Sequence, residues 1–488
     1  MDQDEQRLAG PAAAASPPPA RRGAELRGWL ARHWLIVALL VAGTVLRVLA
    51  WVAYQPALLG RDSFRYLDAI AALRPDGLHP IGYPLVVLRR VLEVGGLELV
   101  TAIQHVAVLV AAGAIYALAL RHGAPRWLAA LATAPLLLDA YELQIEQMIM
   151  ADAWQQVLLV ALLWALLGRG APSPQRAVAA GLLLGVALAF RLIAGALVVP
   201  ALCYLIIAGG AWRAWRDNWR TIATRSLAFL AAFAVVVVAY GAYFTAWTGK
   251  VGLSDTTGNV LYGRAAAVAD CAGLELSPLL RKACPPEPRG QRRPDHYAHS
   301  GANPIWRARF PYRTDLKQVQ RDFAWAVIRQ QPLNVVSGVA VDFLKGFRPV
   351  RVNAPGDVSV EWWQFTEGYP YYNHAERSIE FSERFSGQAP SAVPPLAQFL
   401  RGYQLSIGYT PGTLLGLFGV VALLAGFGLG RARHSGIRSA ALLTAGMALT
   451  ILLVSAAFEF SWRYQLPGLV LLPLAGVLGL TALLRPRR

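Results

Sequence analysis

The chain has 488 residues, and its content of 56% hydrophobic and 15% charged residues excludes a water-soluble globular protein of this length. Lys and Arg outnumber Asp and Glu by 46 to 29, which gives a formal net charge of +17. Because no long basic tract, zinc-ligand spacing or aromatic stacking motif accompanies this charge, we assign it to membrane topology and anionic head groups, and we expect no nucleic-acid partner. The composition therefore predicts an integral membrane protein.

Residues 1–32 are rich in alanine and proline and lack apolar periodicity, which predicts a disordered basic cytoplasmic tail. The apolar run 34–54 that follows has the length of a membrane-spanning helix and contains one internal charge, Arg47. Because the polar stretch is long and no small-residue cleavage site follows the run, this region does not resemble a cleavable signal peptide. We expect the first span to be retained.

About ten apolar runs have the composition of membrane spans, although some are shorter than the usual length of about twenty residues. They lie near 34–54, 97–120, 127–139, 151–168, 177–190, 192–209, 226–247, 410–430, 438–458 and 464–484. With the N-terminus inside, alternation places in the cytoplasm five segments that are all basic: 121–126, 169–176, 213–225, 431–438 and 485–488. The opposite connection 139–152 has no Lys or Arg. The positive-inside rule therefore predicts a multi-pass plasma-membrane protein with both termini cytoplasmic.

The long segment 248–405 is charged, aromatic and nearly free of span-length runs, which predicts a small mixed extracytoplasmic domain. The sequence thus divides into the tail 1–32, an N-terminal membrane module 33–247, this domain, and C-terminal membrane helices 406–488. The N-terminal module carries the first outer loops, which we expect to hold most of the site.

Within the extracytoplasmic segment, apolar periodicity predicts a helix over 315–331, ended by Pro332, and a second helix over 333–347. Cys271 and Cys284 both lie in this segment, and an oxidising compartment lets paired thiols persist. We therefore expect a disulfide between them, the alternative being two free thiols.

An aromatic-rich stretch over 361–372 is interpreted as irregular structure. Its rings form either a surface that stacks on sugars or a membrane-interface belt, and we favour the belt. No grouping of cysteine and histidine has the spacing of metal ligands, so the sequence predicts no metal site.

Ionisable residues from distant parts of the sequence are predicted to share one depth near the outer membrane face. Taken singly, each has an ordinary explanation, such as snorkelling or a place in the first turn of a helix. Charged groups at the hydrocarbon boundary are costly, however, so they usually face a protein-lined cavity and pair with one another or with a ligand. We therefore predict a cavity lined by members of this set: Asp62, Asp68, Glu142, Glu146, Asp152, Arg191 and Arg463.

The first span, its acidic loop and four later motifs together resemble the GT-C glycosyltransferase superfamily. This superfamily includes protein O-mannosyltransferases, the lipid A aminoarabinose transferase and actinobacterial lipid-linked-sugar transferases. The motifs are His79-Pro80-Ile81-Gly82-Tyr83-Pro84, Glu146-Gln147-Met148-Ile149-Met150-Ala151-Asp152, Phe190-Arg191-Leu192 and Trp462-Arg463-Tyr464-Gln465-Leu466-Pro467. One departure is that Ser63 follows Asp62, where protein mannosyltransferases have a paired Asp-Glu, and this argues against a protein acceptor.

The resemblance implies an all-α polytopic fold and an enzyme that takes a sugar from a polyprenyl phosphate donor with inversion. The acceptor would be an extracytoplasmic glycolipid or polysaccharide. No cofactor would be required, and a divalent metal stays open. A general base must take the proton of the acceptor hydroxyl, and Asp62 is our candidate. The candidates that bind the donor phosphate are Arg191 first and Arg463 second, with Tyr464 beside them. Acceptor or orienting roles are expected for Asp68, His79, Tyr83, Glu146 and Asp152.

Two other classes of protein stay open. A transporter or lipid-linked-sugar flippase also gathers charges in a cavity, whereas a structural subunit of an envelope complex would have no convergent site. Because no inverted repeat is evident and the acids are predicted at one membrane face, the sequence favours the enzyme. Within the enzyme class, a protein O-mannosyltransferase is the alternative.

Overall fold

A computed structural model describes residues 19–168, 170–208, 215–300 and 303–484. Three predicted segments lie partly or wholly outside the described residues. Residues 1–18 belong to the predicted tail, residues 209–214 include the start of the predicted cytoplasmic connection 213–225, and residues 485–488 are the predicted C-terminal cytoplasmic segment. Residues 169, 301 and 302 also lie outside them.

The described part of the chain is predominantly helical. Residues 248–405, which are predicted to lie outside the cell, are called the outer segment. Before the long outer segment, the helices are α1 (Pro19–Arg32), α2 (Trp34–Ala53), α3 (Arg61–Ala72), α4 (Arg89–Leu92), α5 (Leu97–Arg121), α6 (Arg126–Leu131), α7 (Ala134–Leu138), α8 (Ala140–Gln147), α9 (Asp152–Leu166), α10 (Pro174–Phe190), α11 (Val198–Ile207) and α12 (Trp215–Thr248). The outer segment contains α13 (Thr257–Val268), α14 (Pro278–Arg281), α15 (Pro294–His299), α16 (Pro304–Arg307), α17 (Leu316–Gln330), α18 (Pro332–Lys345), α19 (Ala375–Ser386) and α20 (Pro394–Ser406). The chain returns through α21 (Gly412–Gly426), α22 (Arg438–Phe458) and α23 (Leu466–Leu484).

The other regular elements are short. Strands β1 (Tyr54–Gln55) and β2 (Ser391–Ala392) pair antiparallel, with Tyr54 opposite Ala392. A π-helix covers Pro84–Leu88, and 3-10 helices cover Leu192–Leu197, Cys271–Gly273, Val360–Trp363, Gly430–His434 and Trp462–Gln465.

Five helices are long and apolar enough to cross a membrane: Trp34–Ala53, Leu97–Arg121, Trp215–Thr248, Arg438–Phe458 and Trp462–Leu484. Shorter apolar helices cover Asp152–Leu166, Pro174–Phe190, Leu192–Ile207 and Gly412–Gly426. These elements confirm an all-α membrane protein.

Two predictions about single elements were wrong. The run 127–139 is not one helix but the pair α6 and α7, which are separated at Ala132 and Thr133. Pro135 lies in the first turn of α7, where proline is favoured. The second half of the predicted disordered tail forms α1, whose alanine, arginine and leucine residues are good helix formers.

Small residues bring neighbouring membrane helices close together. A Cβ placed on Gly181 of α10 would meet the Phe229 carbonyl oxygen of α12. A Cβ on Gly479 of α23 would lie 2.9 Å from the Val421 carbonyl oxygen of α21. Such close backbone approach is the usual way in which helices pack within a bilayer, where the hydrophobic effect gives little drive for association.

The outer segment does not pack as one unit. Helices α13, α15 and α17 enclose a separate core around Tyr262, Tyr297 and Phe323. The later part, from 346 to 406, instead joins the core of the membrane helices through residues such as Phe365 and Leu400.

A buried ion pair fixes this later part to the membrane helices. Arg351 donates from both terminal nitrogens to the two oxygens of Asp139, each at 2.9 Å, and its Nε donates to Gln465 Oε1 at 3.0 Å. The guanidinium also lies over the Tyr141 ring, 4.2 Å from the centroid. Since charged pairs of this geometry depend strongly on direction, they set the register of the outer segment on the membrane helices.

Helices α17 and α18 agree with the predicted pair. Asp315 Oδ1 accepts hydrogen bonds from the backbone nitrogens of Lys317 and Gln318, which caps the N-terminus of α17. Pro332 separates the two helices, as predicted, and occupies the first position of α18.

The structure joins Cys271 and Cys284 in a disulfide that closes a loop of sequence separation 13. Replacing Cys271 with serine is expected to lower the free energy of unfolding by about 2–4 kcal/mol, because the unfolded chain gains the freedom of the open loop. Thermal or denaturant unfolding in detergent measures this change. Cys203→Ser is the matched control, since Cys203 is free and exposed. Mass mapping without reductant that finds both thiols free would contradict the bridge.

Candidate active site

A cavity of about 450 Å³ lies at the ends of several apolar helices, and segments distant in the sequence line it. Its wall is drawn from 60–66, 78–80, 190–193, 293–300 and 459–464, together with Met148 and Met150. Of the residues that the sequence singles out, Asp62, His79, Arg191, Arg463 and Tyr464 are in this wall. The four motifs that lie far apart in the chain therefore meet at one place.

Backbone contacts hold the first outer loop against the second. Leu58 donates from its backbone nitrogen to the Gln147 carbonyl at 3.0 Å, and Ile149 donates to the Leu58 carbonyl at 3.2 Å. Helix α3 begins at Arg61, three residues after Leu58, and Gly60 is its N-cap residue. Asp62 therefore lies in the first turn of this helix. A carboxylate is favoured there by the partial positive charge of the helix N-terminus.

Gly82 explains how the His79–Pro84 motif reaches the turn that carries Arg191. A Cβ at Gly82 would collide with the Ala189 carbonyl oxygen near the end of α10, so only glycine fits. Helix α10 ends at Phe190, and Arg191 has extended backbone angles, φ −148° and ψ 118°. The chain therefore turns at this residue, and the Arg191 side chain reaches the cavity.

Arg463 is the centre of the charge network. Its Nη1 donates to Asp62 Oδ2 at 2.6 Å, and its Nε and Nη2 donate to the two oxygens of Asp152 at 2.9 and 2.7 Å. The Arg463 side chain is only 6% exposed. A guanidinium with carboxylates on all three nitrogens is firmly oriented, so it positions Asp62 and Asp152 relative to each other.

Arg191 completes the network from the other side of Asp152. Its Nη1 lies 2.5 Å from Asp152 Oδ1, but the geometry is not that of a hydrogen bond. Its Cζ lies 5.8 Å from the centroid of the Tyr464 ring. Arg191 forms an ion pair with one carboxylate, whereas Arg463 forms ion pairs with two, which leaves Arg191 better able than Arg463 to bind a further anion.

His79 and Asp76 hold Asp62 from the opposite side. His79 Nε2 lies 3.6 Å from Asp62 Oδ2, and His79 Nδ1 lies 3.1 Å from Asp76 Oδ2. Arg65 also donates to Asp76, at 2.9 Å. The imidazole therefore bridges two carboxylates and orients the first of them.

These contacts shift the pKa values in opposite directions. Burial alone would raise the pKa of Asp62, but His79 and then Arg463 outweigh it and hold that pKa well below its usual range. Burial would lower the pKa of His79, but Asp62 and then Asp76 raise it. Asp62 is therefore ionised throughout the physiological pH range and can accept a hydrogen bond from a hydroxyl group.

Five predicted residues are not in the cavity wall, namely Asp68, Tyr83, Glu142, Glu146 and Asp152, although Asp152 pairs with the two arginines of the wall. Asp68 is on the exposed surface, where it pairs with Arg377 at 2.7 Å. Tyr83 is buried and donates from its hydroxyl to Gln104 Oε1 at 2.7 Å. Glu142 and Glu146 are fully buried elsewhere, and Glu142 accepts a hydrogen bond from Gln156 Nε2 at 2.7 Å.

Glu146 neutralises the internal charge of the first span. It accepts from Arg47 Nε at 2.9 Å and from Nη2 at 2.6 Å, and its Oε2 lies 2.9 Å from His105 Nδ1. The structure therefore gives no support to the acceptor or orienting role that the sequence suggests for Glu146, because its carboxylate binds Arg47 instead. Such a pair makes a charge inside the membrane tolerable.

Two tryptophans of the aromatic-rich stretch, Trp362 and Trp363, are in the cavity wall. The Trp363 ring lies 5.4 Å from Arg463 Cζ, and the Trp362 ring stacks on Tyr372 at a centroid distance of 5.6 Å. This position favours the sugar-stacking alternative for these two rings over the membrane-interface belt.

Three further residues of the wall, Asp295, His299 and Glu459, are not among the site residues predicted from the sequence. Burial, followed by repulsion from Asp295, raises the pKa of Glu459 to about 7. Its Oε1 accepts a hydrogen bond from the Tyr464 hydroxyl at 2.7 Å. A signal for part of this group exists in the sequence, because Asp295 and His299 are four residues apart, the spacing that places side chains on one face of a helix.

No protein-family model matches the chain, and no curated protein matches it. Solved structures that match include the oligosaccharyltransferase of Archaeoglobus fulgidus in the apo form, at 13% identity and a TM-score of 0.43 over 93% of this chain and 51% of that chain. ArnT from Cupriavidus metallidurans bound to undecaprenyl phosphate matches at 17% identity and a TM-score of 0.33 over 93% of this chain and 77% of that chain.

The chain spans about half the length of the oligosaccharyltransferase. At TM-scores below 0.5 this likeness carries no argument about the present chain, whose activity has to be inferred from its own residues.

Proposed function

We propose that the chain is a membrane glycosyltransferase of the GT-C type, which moves a sugar from a polyprenyl phosphate donor to a cell-envelope acceptor. The observation that carries this proposal is the convergence of Asp62, Arg191 and Arg463 in one cavity at the ends of apolar helices. A carboxylate for the acceptor hydroxyl and guanidinium groups for the phosphate are the groups that this transfer needs.

The donor phosphate binds first to Arg191. All three guanidinium nitrogens of Arg463 already donate to carboxylates, whereas Arg191 has one ion pair. Leu192 and Ile193 follow Arg191 in the cavity wall and offer apolar surface to the first units of a prenyl chain. A phosphate at this place is near enough to share Arg463 with Asp62.

Asp62 acts as the general base. The acceptor hydroxyl gives its proton to the Asp62 carboxylate, and the acceptor oxygen bonds to C1 of the sugar from the side opposite the phosphate. The bond between C1 and the phosphate oxygen breaks, and its electron pair stays on the leaving polyprenyl phosphate. One displacement of this kind inverts the anomeric centre.

Competition for Arg463 links donor binding to the strength of the base. In the structure, Arg463 and His79 lower the basicity of Asp62. When a phosphate draws hydrogen bonds from Arg463, Asp62 loses part of that stabilisation and its pKa rises toward the usual range. The phosphate gains negative charge as the bond breaks, so both arginines bind it more strongly in the transition state.

The other residues of the network position these groups. Asp152 holds both arginines, and His79 holds Asp62. The Tyr464 ring lies beside the Arg191 guanidinium. Trp362 and Trp363 offer aromatic faces on which a sugar ring can stack.

We infer that the cavity opens outside the cell and that both termini are cytoplasmic, because the predicted cytoplasmic connections are basic. Single cysteines at Val251 and Tyr312, which are 95% and 90% exposed, should then react with an impermeant thiol reagent in intact cells. Cysteines at Asp217 and His434, both exposed, should react only after permeabilisation. A Cys203→Ser background removes the free thiol. The reverse pattern would rule out an extracytoplasmic donor.

The reaction itself is tested with purified full-length protein, a panel of radiolabelled polyprenyl-phosphate sugars and an envelope lipid extract. We expect one donor to pass its label to an acceptor, with release of one equivalent of polyprenyl phosphate. In proteoliposomes, movement of an intact labelled donor across the bilayer without release of polyprenyl phosphate would instead identify a flippase.

A further inference from the structure

Asp295, His299 and Glu459 form a cluster of metal-ligating groups in the cavity wall. Asp295 and His299 lie one turn apart on α15, and Glu459 comes from the segment between α22 and the final membrane helix. One candidate ligand atom from each residue lies within 4.8 Å of the other two. The outer segment and the membrane helices therefore meet at this cluster.

The carboxylates of this cluster differ from the neighbouring acids in whether a cationic side chain pairs with them. Asp62, Asp76 and Asp152 each have an arginine partner within 3 Å. No ion pair involves Asp295 or Glu459 anywhere in the described ranges 19–168, 170–208, 215–300 and 303–484. Two carboxylates that approach each other in a partly buried wall repel, and a cation between them removes this repulsion.

An independent observation comes from Ser461, two residues after Glu459. Its side chain lines the same cavity and the residue is only 3% exposed. Within the described part of the chain, its hydroxyl has no hydrogen-bond partner. Buried polar groups are nearly always paired, so an unpartnered hydroxyl in this wall indicates that a ligand or a ligand-bound water is held beside it.

We propose that Asp295, His299 and Glu459 bind a divalent cation, Mn²⁺ or Zn²⁺, in the wall of the cavity. Two carboxylate oxygens and one imidazole nitrogen are a mixed donor set, which suits these ions better than Mg²⁺ or Ca²⁺ with their all-oxygen preference. Three protein ligands leave at least one position for water or a substrate oxygen.

This site is separate from the acids that hold the arginines. Asp62 and Asp152 are already engaged by Arg463, and Asp152 also by Arg191, so they have no need of a metal. The cation adds positive charge on the wall formed by α15 and the 459–461 segment. The proposal does not depend on sugar transfer, and it differs from the sequence-based expectation of no metal site.

The test measures metal binding directly, on full-length protein purified without a histidine tag and freed of metal with a chelator. Loss of the electron paramagnetic resonance signal of free Mn²⁺ counts bound ions, and competition with Zn²⁺ compares the two metals. We expect about one high-affinity Mn²⁺ per chain, and displacement by Zn²⁺. His299→Ala and Glu459→Gln should each weaken binding at least about tenfold, since each removes one of three ligands.

His296→Ala is the matched control, because His296 is on the same helix but outside the cluster, and its Mn²⁺ affinity should stay at the wild-type value. His299 is exposed, so His299→Ala should fold normally and carries the test even if Glu459→Gln does not. Wild-type protein that binds neither ion, or equal affinity in wild type and His299→Ala, would overturn the proposal. Neither result would affect the assignment of Asp62 and Arg191, which is measured by sugar transfer and donor binding.

Discussion

Replacing Asp62 with asparagine is expected to lower the rate of sugar transfer by about 10²–10⁴-fold, the usual contribution of a general base. Asparagine keeps the size of the side chain and can still accept a hydrogen bond, but it cannot take the proton of the acceptor. Because the substitution also removes a negative charge beside Arg463, donor affinity should stay at or above the wild-type value. Turnover of a labelled donor, together with binding measured separately, distinguishes these two effects.

Asp68→Asn is the matched control for this experiment. Asp68 is on the same helix as Asp62, but it pairs with Arg377 on the surface outside the cavity, so transfer should be unchanged. Wild-type turnover in Asp62→Asn would remove Asp62 from the mechanism. Glu459 would then be the next carboxylate to test as the base, because it lines the cavity and Glu146 does not.

Helix geometry explains why the sequence pattern could not separate Asp62 from Asp68. Both acids follow the first span, and their spacing of six residues gives no sign of which one faces the cavity. Once α3 is known to be a helix, six residues correspond to a rotation of about 240°, so the two side chains cannot point the same way. The choice between them required the helix and its direction.

The packing of the helices explains why Glu146 is buried away from the cavity. Arg47 was recognised as a charge within the first span, and Glu146 as an acid near the outer face, but their pairing depends on how α2 packs against α8. Sequence separation gives no measure of that distance. The ordered motifs, by contrast, correctly placed Asp62, His79, Arg191 and Arg463 together, because each adjoins the end of an apolar run at the same predicted face.

The metal-ligating cluster was missed for a related reason. Asp295 and His299 have helical spacing, but the third member, Glu459, comes from a segment more than 150 residues later in the sequence. Only the packing of α15 against the end of α22 brings the three together. Composition and hydropathy fix the membrane helices, whereas contacts between the outer segment and these helices depend on tertiary structure.

Replacing Arg191 with alanine is expected to weaken donor binding by about 2–5 kcal/mol, which corresponds to roughly 30- to 4,000-fold in affinity. The change removes the cation that has the most capacity for a phosphate. Transfer should fall as well, because the phosphate gains charge as its bond to the sugar breaks. Folding should be preserved, since Asp152 keeps two hydrogen bonds from Arg463 and no buried carboxylate is left unpaired.

Lysine at this position should restore part of the affinity, because it keeps the charge but loses the two-pronged geometry of the guanidinium. Binding of a polyprenyl phosphate to wild type, Arg191→Ala and Arg191→Lys gives the order that we expect, with wild type strongest and alanine weakest. Arg90→Ala is the control, since Arg90 is an exposed cation outside the cavity that pairs with Glu93 at 3.4 Å. If Arg191→Ala binds the lipid phosphate as tightly as Arg90→Ala does, Arg191 is not the donor-binding cation, and Arg463 would have to bind the phosphate at the expense of its contact with Asp62.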